Sequence, residues 1–138
     1  MEFKQIVGSN GFEEFRYKVD NLHDCILREC IFLGGAYIDE NRWMHNDSEP
    51  GVCRMVFQSQ CEDTPVIVIE IDGVSKLCIN TTYVLQLDGD VKEGEITLFL
   101  AGRDAIHEKY YVTGRSVKYC ILDRSYIGKD TRLLIKEI

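Results

Sequence analysis

The chain has 138 residues, 45% of them apolar and 28% charged, with a formal net charge of −7 at pH 7. That length suits one domain spanning 1–138, with a core that removes about two thirds of the unfolded chain's surface from water, and that balance excludes a chain disordered over most of its length. The charge is uneven, 18 acidic against 8 basic groups over 1–100 and 5 against 8 over 101–138, which opposes non-specific nucleic-acid binding by counterion release and either serves solubility alone or favours encounter with a basic partner.

Taken in order, residues 1–11 read as a lead-in, after which Phe15, Tyr17 and Val19 alternate with Arg16 and Lys18 as in a half-exposed strand. Asp20 and Asn21 make a turn into NLHDCILRECIF, residues 21–32. As a strand, that stretch puts His23, Cys25 and Leu27 on one face and Leu22, Asp24 and Ile26 on the other. The apolar positions then step from Leu27 to Cys30, a change of parity that a one-residue β-bulge absorbs. A second short strand is expected over 35–38.

Residues 39–51, DENRWMHNDSEPG, have no period and carry the only Trp of the chain. This is expected to be a long loop. Loops of that length without structure of their own are often functional, and Trp43 and Met44 among Asp39, Glu40, Asp47 and Glu49 suit an apolar anchor ringed by carboxylates. The alternative is that Trp43 folds back to cover an open end of the sheet.

Residues 52–58 form a strand. Asp72-Gly73, between the apolar runs 66–71 and 74–79, predicts a type I′ hairpin. Residues 82–87 and 95–100 read as a further pair joined by the acidic link 88–94, and 110–113 with 117–123 as another about Gly114. Residues 101–108 carry no clear pattern, and 133–138 close the chain as a strand or short helix. Together these predict a mainly β fold of about eight to ten strands, an antiparallel β-sandwich or partly closed barrel with at most one or two short helices.

Few residues suggest chemistry. The spacings of His23, Asp24, Cys25, Cys30, His45, Cys53, Cys61 and His107 match no zinc finger, ribbon or HExxH pattern. On a strand, Cys25 and His23 stand about 6.7 Å apart, a spacing not ideal for the direct hydrogen bond that would activate a thiol. His23, Asp24 and Cys25 are therefore expected to form a structural motif, with the two polar residues bracing the strand entry and Cys25 packed inward. Neither a phosphate-cradling glycine loop nor a G-x-S-x-G elbow occurs. The amino terminus lacks the apolar run of a signal peptide and no run approaches a membrane span, so a cytoplasmic protein with reduced cysteines is expected.

Leu22-His23-Asp24-Cys25, with Leu27 and Cys30 in the next apolar places, resembles the His-Asp-(Ser/Cys)-x-Ile-x-x-Ile opening of a loose group of small bacterial β-rich proteins. VIVIEIDGVSKLCIN and YVTGRSVKYCIL are similar to that group's strand-GV-strand segment and closing strand, so the resemblance runs from Leu22 to Leu122. The chain departs from the group's pattern at Tyr119, where Trp is common, and in the Trp43 loop. Some members are immunity proteins of bacterial toxin systems. The resemblance implies a compact strand-rich fold and a protein that neutralises a toxin by binding it.

The function expected from these readings is non-catalytic binding of a basic protein partner, immunity-type, with Trp43 and Met44 as anchors and Asp39, Glu40, Asp47 and Glu49 steering. No cofactor, nucleic acid or membrane enters that reading. The alternatives are a metal- or thiol-dependent enzyme centred on His23, Asp24 and Cys25, and an oligomeric structural accessory using an exposed sheet edge.

Overall fold

β-branched and aromatic residues set the longest strands, and a helical spacing missed by the strand reading sets the α-helix Gly8–Lys18. The computed structural model describes residues 1–46, 50–84, 86–101 and 109–136. Among them the chain is mainly β, with antiparallel sheets that do not close into a barrel. The elements are β1 (Lys4–Ile6), α1 (Gly8–Lys18), β2 (Cys25–Leu33), β3 (Tyr37–Ile38), β4 (Met44–His45), β5 (Gly51–Ser59), β6 (Val66–Val74), β7 (Lys76–Cys78), β8 (Asp88–Lys92), β9 (Glu95–Phe99), β10 (Tyr111–Gly114) and β11 (Ser116–Leu122). One sheet has the order β1-β11-β6-β5-β2, a second β7-β10-β9-β8, and β3 and β4 form a separate ribbon. No helix of the described residues is long and apolar enough to cross a membrane.

The predicted strand at Phe15, Tyr17 and Val19 is instead the end of α1 and its C-cap. Phe12, Phe15 and Val19 are three and four residues apart, one face of a 3.6-residue period, and all are buried while Tyr17 is 91% exposed. Phe15 packs 4.6 Å from the Tyr119 ring of β11. Burial of that face against the sheet stabilises a helix that has no side-chain N-cap.

The bulge in β2 lies where the sequence places it. Leu27 pairs with Phe57 and Glu29 with Val56, so Arg28 is the extra residue. Before it Cys25 and Leu27 face the core; after it Cys30 does, and Glu29 turns to the opposite face.

The Asp72-Gly73 hairpin does not form. β6 runs on through Gly73 into β7, which belongs to the second sheet. Gly51 pairs with Val74 and Val52 with Asp72, leaving Gly73 as a bulge residue at φ 69°. A positive φ at glycine serves a bulge as well as a hairpin turn. The pairing strand decides between them: β10 and β11, also expected to fold back on each other, likewise run from one sheet into the other beside β7 and β6. Arg115 N–H donates to Asp72 O at 2.8 Å and Ser75 N–H to Thr113 O at 2.9 Å, carrying the ladder around the bend. Two bent strands thus make a corner between the sheets.

The expected pair 82–87 with 95–100 is also shifted. β9 pairs with β8, within the stretch read as a link, and the described part of 82–87 makes only isolated bridges, Tyr83 to Ile26 and Gln86 to Ala101. Residues 102–108 lie outside the described residues.

Both sheets and α1 contribute to one core, including Phe15, Phe57, Met55, Ile69, Leu98 and Val112. Each such side chain contributes roughly 1.5–3 kcal/mol by leaving water. The other face of the five-stranded sheet holds a smaller cluster, Val56, Val66, Val68 and Cys120, covered by Phe3, Leu122, Leu133 and Leu134. Across that face Glu70 pairs with Arg54 on β5 and with Lys118 on β11, the latter at 2.7 Å. The Phe3 ring lies 5.2 Å from the Arg54 guanidinium and 5.1 Å from the Lys118 ammonium. Burial opposes ionisation of Glu70, yet its two cationic partners hold the carboxyl below the usual range.

Candidate functional site

The 39–51 stretch contains a small built element. Asp39 closes the β3–β4 ribbon: one carboxylate oxygen accepts the N–H groups of Asn41 and Trp43, both at 2.9 Å, and the other lies 2.9 Å from His45 Nε2. The backbone adds Asp39 N–H to Trp43 O at 3.0 Å and Arg42 N–H to Asp39 O at 2.9 Å. The His45 contact, then the Trp43 and Asn41 N–H groups, hold the Asp39 carboxyl below its ordinary range. The Tyr37 ring stacks on His45 at 4.6 Å and 9°. An aspartate that accepts from residues two and four ahead fixes a tight turn in the way expected of Asx turns.

This turn presents Trp43 and Met44 outward, each 70% exposed. Trp43 therefore does not fold back over the sheet. Phe32, Leu33, Tyr37 and Ile38, at the end of β2 and on β3, are exposed as well. Glu40 is exposed, Asp39 is engaged inside the hairpin, and Asp47 and Glu49 lie outside the described residues. The sequence reading missed the four apolar residues before the loop. Their signal is an apolar run, Ile31 to Leu33, that outlasts the alternation and ends at Gly34-Gly35.

His23, Asp24 and Cys25 line a different surface feature, a cleft of about 470 Å³ with Ser59, Tyr83 and Ile127 on its walls. The chain enters it through Asp20, Asn21, Leu22 and Asp24, all at positive φ of 48–58°. Asp and Asn accept that conformation more readily than Leu. Leu22 is held there by complete burial and by its N–H bond to Val19 O at 2.9 Å. His23 Nδ1 stands 2.9 Å from Asp24 Oδ2, and both side chains face solvent. Cys25 is buried, its thiol donating to His23 O at 3.6 Å, and burial raises its pKa against a weaker opposing effect of Ser59. Burial thus opposes formation of the thiolate at Cys25. Among the described residues no group of three or more His, Cys, Asp or Glu side chains is placed to hold a metal ion.

The chain matches no family model, curated protein or solved structure.

Proposed function

We propose that the protein is a binding domain that captures a basic protein partner through the β3–β4 hairpin, in the manner of an immunity protein that neutralises a toxin. The observation that carries this reading is the exposure of Trp43 and Met44 on a turn already fixed by Asp39. Large apolar side chains held rigidly in water favour association, because the loop loses little further entropy when a partner covers them. The net charge of −7 supplies long-range attraction for a basic partner. The enzyme reading centred on His23, Asp24 and Cys25 has less support, since burial opposes formation of the Cys25 thiolate.

Capture from the native organism's lysate at low and high salt tests the proposal. A basic protein retained at low salt and weakened at high salt is expected. Trp43→Ala is expected to weaken the captured complex by about 10- to 100-fold, the range of an aromatic anchor. Asp39→Ala is expected to weaken it through loss of turn order while the melting temperature of the domain changes little. Unchanged affinity in both Trp43→Ala and Asp47→Lys would rule out the 39–51 stretch as the binding element.

A further inference from the structure

Cys30 on β2 and Cys53 on β5 belong to the core-facing side of adjacent strands. Cys30 lies opposite Met55 and Cys53 opposite Phe32, so the two are diagonal neighbours in the ladder, and their Sγ atoms are 3.7 Å apart. Sulfurs at that separation touch, and a disulfide requires closure to about 2.05 Å. The two thiols differ in access. Cys53 is fully buried and Cys30 half-buried. With Cys53 as the donor, the hydrogen bond between them lowers the pKa of Cys30 and, together with burial, raises that of Cys53. The buried Tyr110 hydroxyl has no hydrogen-bond partner among the described residues. Burial first, then negative charge at Cys30, pushes its pKa up to about 12, so the phenol stays neutral.

We propose that Cys30 and Cys53 form a peroxide-oxidisable dithiol, with Cys30 as the attacking thiol and Cys53 as the resolving one. The Cys30 thiolate attacks one oxygen of hydrogen peroxide, the O–O bond breaks, and Cys30 sulfenic acid and hydroxide result. Cys53 sulfur then attacks the Cys30 sulfur; the S–O bond breaks, the departing oxygen leaves as water with the Cys53 proton, and the S–S bond forms. In sum, two thiols are oxidised and one peroxide is reduced to two waters. The cysteines are 23 positions apart, and the loop they would close contains the entire β3–β4 hairpin. The disulfide would fasten that loop at its base.

The full chain, reduced, freed of reductant and treated with hydrogen peroxide, tests this. The intact mass is expected to fall by two hydrogen atoms, and a non-reducing digest to contain one new linked pair, the Cys30 and Cys53 peptides, separated again by dithiothreitol. The Cys30 thiol is expected to be lost on the order of tenfold faster than Cys25 or Cys120, whose pKa values burial raises. Cys30→Ser and Cys53→Ser should each abolish the link. The wild-type peptide map decides the matter even if a variant folds poorly. Recovery of Cys30 reduced after other thiols have reacted, its oxidation to sulfinic acid without a link, or a link to any other cysteine would overturn the proposal.

Discussion

Replacing Glu29 by Ala is expected to lower the unfolding free energy by about 4 kcal/mol, because its carboxylate holds three otherwise unpaired backbone donors. Oε2 accepts the Leu133 N–H at 2.8 Å, and Oε1 accepts those of Leu134 at 3.0 Å and Ile135 at 2.8 Å. Glu29 is only 6% exposed. Burial opposes its ionisation, and the N–H groups of Ile135, Leu133 and Leu134 outweigh that effect, so its pKa lies below the ordinary glutamate range. Loss of the carboxylate also releases Leu133 and Leu134 from the cluster of Val56, Val66, Val68 and Cys120. Urea denaturation measures the change, and amide exchange at Leu133, Leu134 and Ile135 should rise with it. Glu29→Gln, which keeps one acceptor oxygen, should lose about 2 kcal/mol. Wild-type stability in Glu29→Ala would mean that this carboxylate does not hold the segment.

The same depressed pKa fixes a pH dependence. The unfolded chain binds a proton at Glu29 more readily than the folded one, so folding gains stability as pH rises. That contribution is fully present above the unfolded glutamate value of about 4.3 and disappears as pH falls through the lower folded value. Glu70 is depressed too, so wild-type stability should fall steeply on acidification. Glu29→Gln should reduce that slope without abolishing it.

Gly114→Ala is expected to cost about 3 kcal/mol and Gly114→Val more, from overpacking at the corner between the sheets. A Cβ at Gly114 would stand 2.4 Å from Ile71 Cγ2 and 2.8 Å from the Asp72 carbonyl oxygen. The second of these is backbone, held in the ladder between β6 and β11, and cannot rotate away. The demand here is for space alone. Gly94, in the β8–β9 turn at φ 75°, has open space around it, and there Ala should cost only about 1 kcal/mol through backbone strain. Thermal unfolding should thus separate the two, with a drop on the order of 10 °C for Gly114→Ala and a few degrees for Gly94→Ala. Equal melting temperatures for the two variants would show that the sheets do not meet closely at Gly114.

Local pattern determined the mainly β class, most strand positions and the Arg28 bulge, because alternation of apolar side chains is a property of neighbouring residues. It also singled out Trp43, but the Asp39 turn that leaves it exposed was hidden in a polar run without period. The helix Gly8–Lys18 was concealed because Phe15, Tyr17 and Val19 satisfy a strand alternation, and only burial of Phe12, Phe15 and Val19 against the sheet chooses the helical period. Asp72-Gly73 specifies a positive φ, not a reversal of direction. Whether the chain turns back or bends onward depends on β10 and β11, some forty residues later, being present to pair with it. Tertiary structure alone also decided that Glu29 captures three N–H groups more than a hundred positions away and that Cys30 touches Cys53. Contacts between distant strands depend on register and on which face a bulge exposes, and no stretch of sequence carries both.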